Sequence, residues 1–114
     1  MIKATFVKEN EAEVIVLKVE GHAGQDVKGH DIVCSAASIL VYTIAQYLQF
    51  VEKQGGLQKK PRIEIKDGDA LIVANPTEEY KGEVLNAFFV TEVGFNLLSK
   101  NYPQYVELKM FGEA

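Results

Sequence analysis

The sequence predicts an α+β fold: a two-layer sandwich of order β-β-α-β-β-α-β, with two helices on one face of a mostly antiparallel or mixed sheet. Three observations predict it. Five short segments, 2–8, 13–20, 62–66, 70–74 and 105–110, alternate in polarity or are rich in β-branched residues. Two pairs of these segments are separated by only a few residues, which forces antiparallel hairpins. Between and after the hairpins lie two long apolar-periodic stretches, 32–53 and one from Pro76 to about Lys100. At 114 residues the chain is one domain, 1–114, with no internal repeat, linker or low-complexity stretch.

Each element has its own signal. In 2–8, Ile2, Ala4 and Phe6 fall on one side and Lys3, Thr5 and Val7 on the other. Glu9-Asn10-Glu11 is the expected turn into strand 13–20, which ends near Gly21-His22. Residues 23–31 hold Gly24 and Gly29 and no apolar period, so they read as a loop able to close over a substrate. Asp31 is a helix cap: its carboxylate can accept from an orphan N–H of the first turn. The helix 32–53 that follows is apolar on nearly every side, which suits the centre of the core or a subunit interface. Ser35, Ala36, Ala37 and Ser38 keep its start small, and Gly55-Gly56 ends it. Arg62, Ile63, Glu64, Ile65 and Lys66 alternate, and Asp67-Gly68 is a hairpin signal before the return strand 70–74. Pro76-Thr77-Glu78-Glu79 opens the second helix, with Thr77 as its cap. Pro103 forbids its continuation. Val106, Leu108 and Met110 then alternate with Glu107 and Lys109 in the last strand.

Charge and composition exclude several functions. The net charge of −4 and pI near 5.2 argue against direct binding of nucleic acid. Lys59, Lys60 and Arg62 read as a solvated edge. A single cysteine forms no internal disulfide, so a reducing cytosol suits the chain. Met1-Ile2-Lys3 leads directly into a strand pattern, and the longest apolar run, residues 39–45, is too short to span a bilayer. A cytoplasmic protein without membrane contact is the expectation. There is no P-loop and no dinucleotide fingerprint, so no cofactor is expected.

The chemistry concentrates on 21–38. A lone cysteine ordinarily serves as a small hydrophobe. Cys34, however, stands in the first turn of a long helix, where the helix dipole and nearby cations favour the reactive thiolate. His22, at a strand end, and His30, four residues before the thiol, are both candidates for its general base. Asp31 reads as cap or as the group that orients an imidazole. Ser35 and Ser38 read as local hydrogen-bonding residues, and free N–H groups at the helix start read as an oxyanion hole. His22, His30, Asp31 and Cys34 could also be imagined around a metal. They lack a C-x-x-C pair, so no metal is expected.

Gly21-His22-Ala23, then, after Gly24 to Lys28, Gly29-His30-Asp31-Ile32-Val33-Cys34-Ser35-Ala36-Ala37-Ser38 resembles the ribosomal-processing cysteine protease family, often called Prp. The match includes the spacing from His22 to Cys34 and, through length and element order, covers most of the chain. The resemblance implies Cys34 as nucleophile and His22 as base, with His30 at a variable position and Asp31 supporting. It implies a cysteine endopeptidase that removes the N-terminal extension of a bacterial large-subunit ribosomal protein, and a homodimer. Ser35 stands where the family often has alanine, and Gly24-Gln25-Asp26-Val27-Lys28 departs from its pattern. Two other readings stay open on sequence grounds: a non-catalytic, ribosome-associated protein-binding module, and a thiol redox or metal site.

Overall fold

A computed structural model describes residues 1–24 and 31–113. The elements are β1 (Ile2–Glu9), β2 (Val14–Glu20), α1 (Ile32–Lys53), β3 (Arg62–Lys66), β4 (Asp69–Ala74), α2 (Lys81–Asn101) and β5 (Val106–Lys109). The strands form one mixed sheet in the order β3-β4-β2-β1-β5. All neighbours are antiparallel except β5, which runs parallel to β1.

One face of this sheet is the core. Ala4 lies opposite Val19, Phe6 opposite Leu17, Leu17 opposite Ile72, and Ile72 opposite Ile63. Alternation therefore places a continuous apolar stripe on one side. The helices cover that stripe. The buried residues of α1, Val33, Ala37, Val41, Ile44, Ala45, Leu48 and Val51, recur at helical spacing. Val84, Phe88 and Phe95 do the same for α2. Phe6 meets Phe95 edge-on with ring centroids 6.0 Å apart, and Phe111 at 5.4 Å. The two helices approach closely at Gly94, where a Cβ would lie 2.7 Å from the Leu40 side chain.

Several local expectations need correction. Helix α2 begins at Lys81, not at Pro76. Pro76 is held in an isolated bridge to Leu57, and Thr77 N–H donates to the Gly56 carbonyl. The segment is thus tied to the exit of α1 before it can turn helical. Thr77 caps only a single turn, through its contacts with Tyr80 N–H. The strand expected over 105–110 closes at Lys109, and Met110 leaves the alternation because residues 110–113 form a turn of their own. That turn is pinned by the buried Glu92, whose carboxylate accepts from Phe111 N–H at 2.7 Å. The first hairpin turn lies over 10–13 and holds Asn10, Glu11 and Ala12 at positive φ.

Helix α1 is, by length and composition alone, apolar enough to cross a membrane. The expectation from residues 39–45 overlooked the rest of the helix. Its buried stripe faces the sheet, while Ile39, Tyr42 and Phe50 are exposed.

Candidate active site

The site lies where the end of β2, the start of α1 and the β3–β4 hairpin converge. Helix α1 starts as the sequence predicts. Asp31 takes an extended conformation, and one oxygen of its buried carboxylate accepts from Val33 N–H at 2.9 Å and from Cys34 N–H at 3.0 Å. Its backbone carbonyl accepts from Ser35 N–H at 3.0 Å. Asp31 therefore fixes the backbone that carries the thiol.

Cys34 is half-buried. Its sulfur accepts a hydrogen bond from the Ala23 amide at 3.4 Å, one residue beyond His22. That bond joins the end of the second strand's exit to the first turn of the helix. His22 follows Gly21, whose N–H donates to the Gly68 carbonyl at 2.9 Å. Gly21 has φ +90, and a Cβ there would fall 2.2 Å from the Met1 carbonyl oxygen. Only glycine passes between the amino-terminal segment and the hairpin at this point. The chain leaving Gly21 then delivers the exposed His22 imidazole onto the turn of the β3–β4 hairpin.

His22, Cys34 and Ser38 line one groove of about 320 Å³. Ser38 lies one helical turn beyond Cys34 on α1, and Val41 and Tyr42 continue that wall. The hairpin residues Ile65, Lys66, Asp67, Gly68 and Asp69 form the opposite wall. A groove of this size, open and with polar groups on both sides, can hold a few residues of extended peptide. The imidazole and thiol share it without a direct hydrogen bond. Catalytic contacts commonly tighten only with substrate in place.

The predicted site residues thus separate into three groups. His22, Cys34 and Ser38 face the same space. Asp31 stands behind them as the cap. Ser35 is exposed and is not among the groove-lining residues. His30 and the central loop expected to act as a lid lie outside the described residues. Of the helix-start amides expected to form an oxyanion hole, those of Val33, Cys34 and Ser35 donate to Asp31. The backbone donor at the sulfur is instead Ala23. Sequence reasoning missed this amide, because backbone direction is invisible in residue types. It also missed Tyr42 and the hairpin wall, which only the sheet order brings beside α1. Among the described residues no group of three His, Cys, Asp or Glu side chains could hold a metal ion.

Comparison with known proteins gives a consistent result. A sequence model of the family described as cysteine protease Prp matches residues 1–107. No curated protein sequence matches the chain. Among solved structures, the essential ribosomal processing protease Prp from S. aureus, bound to a covalently linked product peptide, is similar with a TM-score of 0.72 and 21% identity. That match covers 97% of this chain and 99% of the other. The same S. aureus protease with a substrate peptide gives 0.67 and 20% over 97% and 99%. SMU.848 from Streptococcus mutans gives 0.66 and 26%, covering 97% of this chain and 95% of the other.

Proposed function

The chain belongs to the cysteine protease Prp family, and from that premise we propose that Cys34 and His22 are its catalytic dyad. The observation that carries this reading is the shared groove, with the Ala23 amide already at the sulfur. His22 takes the thiol proton as Cys34 attacks the scissile carbonyl carbon, so a C–S bond forms and the carbonyl oxygen becomes an oxyanion. The Ala23 amide is the backbone donor at hand for that oxygen, since the helix-start amides at 33–35 are engaged by Asp31. Collapse of the intermediate breaks the C–N bond, and the His22 imidazolium protonates the departing amine. Water, deprotonated by His22, then attacks the thioester and frees the thiol. Asp31 supports the dyad by holding the Cys34 backbone. Ser38 lines the groove beside the reacting peptide, and Ser35 completes the first turn at the surface.

The proposed substrate is the amino-terminal extension of a bacterial large-subunit ribosomal protein precursor. Family membership supports this, as does similarity to a ribosomal processing protease bound to a substrate peptide. We also propose a cytoplasmic homodimer that uses no cofactor and binds neither nucleic acid nor membrane directly. The exposed Ile39 and Leu97 flank an apolar groove between α1 and α2, which supports a self-contact there. The net charge of −4 supports a protein rather than a nucleic-acid partner.

The test is incubation with the ribosomal precursor of the same organism, read by intact mass. Wild type should shorten the precursor at one bond, and Cys34→Ser and His22→Ala should lower the rate by at least about a thousandfold. Full activity in either variant would refute the dyad. Light scattering on wild type and Leu97→Glu checks the dimer: a monomeric wild type would remove it.

A further inference from the structure

The imidazole of His22 rests where a side chain of residue 68 would be. A Cβ placed on Gly68 would lie 2.5 Å from His22 Nε2, 3.1 Å from Cε1 and 3.2 Å from Cδ2. The ring therefore presents its Nε2 edge to the bare backbone of the hairpin turn. The turn itself cannot drift away from the histidine, because the Gly68 carbonyl accepts from the amide of Gly21, the residue just before it. Gly68, His22 and Cys34 all line the same groove. At φ +75 the hairpin turn demands glycine for its backbone. The contact with the imidazole is a second and separate demand on the same residue.

We propose that Gly68 is a positioning residue for the general base: its missing side chain is the seat that keeps the His22 ring in the groove it shares with Cys34. The proposal rests on the dyad reading. A Cβ at 2.5 Å cannot coexist with the ring where it now lies. Because His22 is exposed, the ring swings aside before the hairpin yields. Displacement of a catalytic group by about 1 Å can lower a rate roughly a hundredfold. The Cβ at residue 68 should thus impair the base while the domain stays folded.

Gly55 supplies the control. It has φ +77 at the end of α1, and a Cβ there meets nothing within 4 Å. Gly55→Ala therefore carries the backbone strain of Gly68→Ala without the contact. The experiment measures iodoacetamide labelling of Cys34 by intact mass across a pH series. It compares wild type, Gly68→Ala, Gly55→Ala, His22→Ala and the His22→Ala/Gly68→Ala double variant, with thermal melts of each. Gly68→Asn carries the same Cβ with a residue that tolerates positive φ, and replaces the alanine variant if that one does not fold.

The expected result has three parts. Gly68→Ala slows labelling near neutral pH roughly ten- to a hundredfold and moves the pH profile toward that of His22→Ala. Gly55→Ala keeps the wild-type profile although it melts lower. In the His22→Ala background, Gly68→Ala changes labelling no further. The proposal is overturned if residue 68 variants keep the wild-type profile, or if they slow labelling by the same factor with and without His22. If His22→Ala itself leaves the wild-type profile unchanged, the dyad fails first and the seat has no function to serve.

Discussion

Replacing Asp31 by alanine tests how the nucleophile is held. One buried carboxylate oxygen accepts from both Val33 N–H and Cys34 N–H, at 2.9 and 3.0 Å. Alanine leaves both donors without that acceptor at a helix end. A lost cap costs up to about 2 kcal/mol, and a bond to a charged group is worth roughly 1.5–3 kcal/mol. The two bonds share one oxygen, so about 2 kcal/mol is the reasonable total rather than their sum. For a domain of this size that lowers the melting temperature by roughly 8 °C. Asp31→Asn keeps an oxygen in the same place and should lie within about 0.5 kcal/mol of wild type, because asparagine caps nearly as well as aspartate. Precursor cleavage should follow the same order, since the thiol's backbone loosens only in the alanine variant. Calorimetry and the intact-mass cleavage assay measure both quantities. A melt for Asp31→Ala within about 2 °C of wild type would refute the reasoning, as would equal losses in the two variants.

Other perturbations have defined outcomes. Phe6→Ala removes a fully buried ring that meets both Phe95 and Phe111, and should cost roughly 3–5 kcal/mol in urea unfolding. Glu92→Ala orphans the Phe111 amide. Hydrogen exchange should accelerate over 110–113, with a loss of about 1–3 kcal/mol and no change in Cys34 labelling. Tyr47 has its hydroxyl enclosed, with the Glu83 carboxylate nearby but outside hydrogen-bond geometry. Burial first, and then that carboxylate, push its pKa up to about 12. The unfolded chain loses this proton near pH 10, before the folded one does, so stability should fall as pH rises from about 10 to about 12. Tyr47→Phe should flatten that part of the curve in alkaline melts, and an unchanged slope would remove the argument.

What the sequence disclosed follows the range of the forces involved. Ile2, Ala4 and Phe6 announced a buried strand face because alternation is a local rule. Asp31 announced the start of α1, and Gly55 its end, because caps act within one turn. The start of α2 was misread, since Thr77 looks like a cap until the Leu57–Pro76 bridge holds its neighbourhood extended. That bridge links residues far apart in the chain, and no local pattern reports it. The same reason hid the parallel pairing of β5 with β1. In the candidate site, Cys34 and Asp31 stood out by type and position at the helix start, whereas residue type left His22 and His30 level and only the family resemblance favoured His22. The seat at Gly68 was not, because an Asp-Gly turn signal explains that glycine completely until its neighbour is seen. The engagement of the helix-start amides was hidden for a related reason: a capping carboxylate and a free helix terminus are alternatives, and Asp31 accepts from Val33 N–H and Cys34 N–H.

The close passage of Gly21 beneath the Met1 carbonyl has a practical side. Ile2 is itself a wall of the groove, so an affinity tag fused ahead of Met1 emerges at the rim, able to obstruct it or to enter as a competing peptide. Because β5 runs parallel to β1 and ends beside Thr5, a tag fused after the last strand departs on the side directed away from that rim. Purification handles for kinetic work belong there.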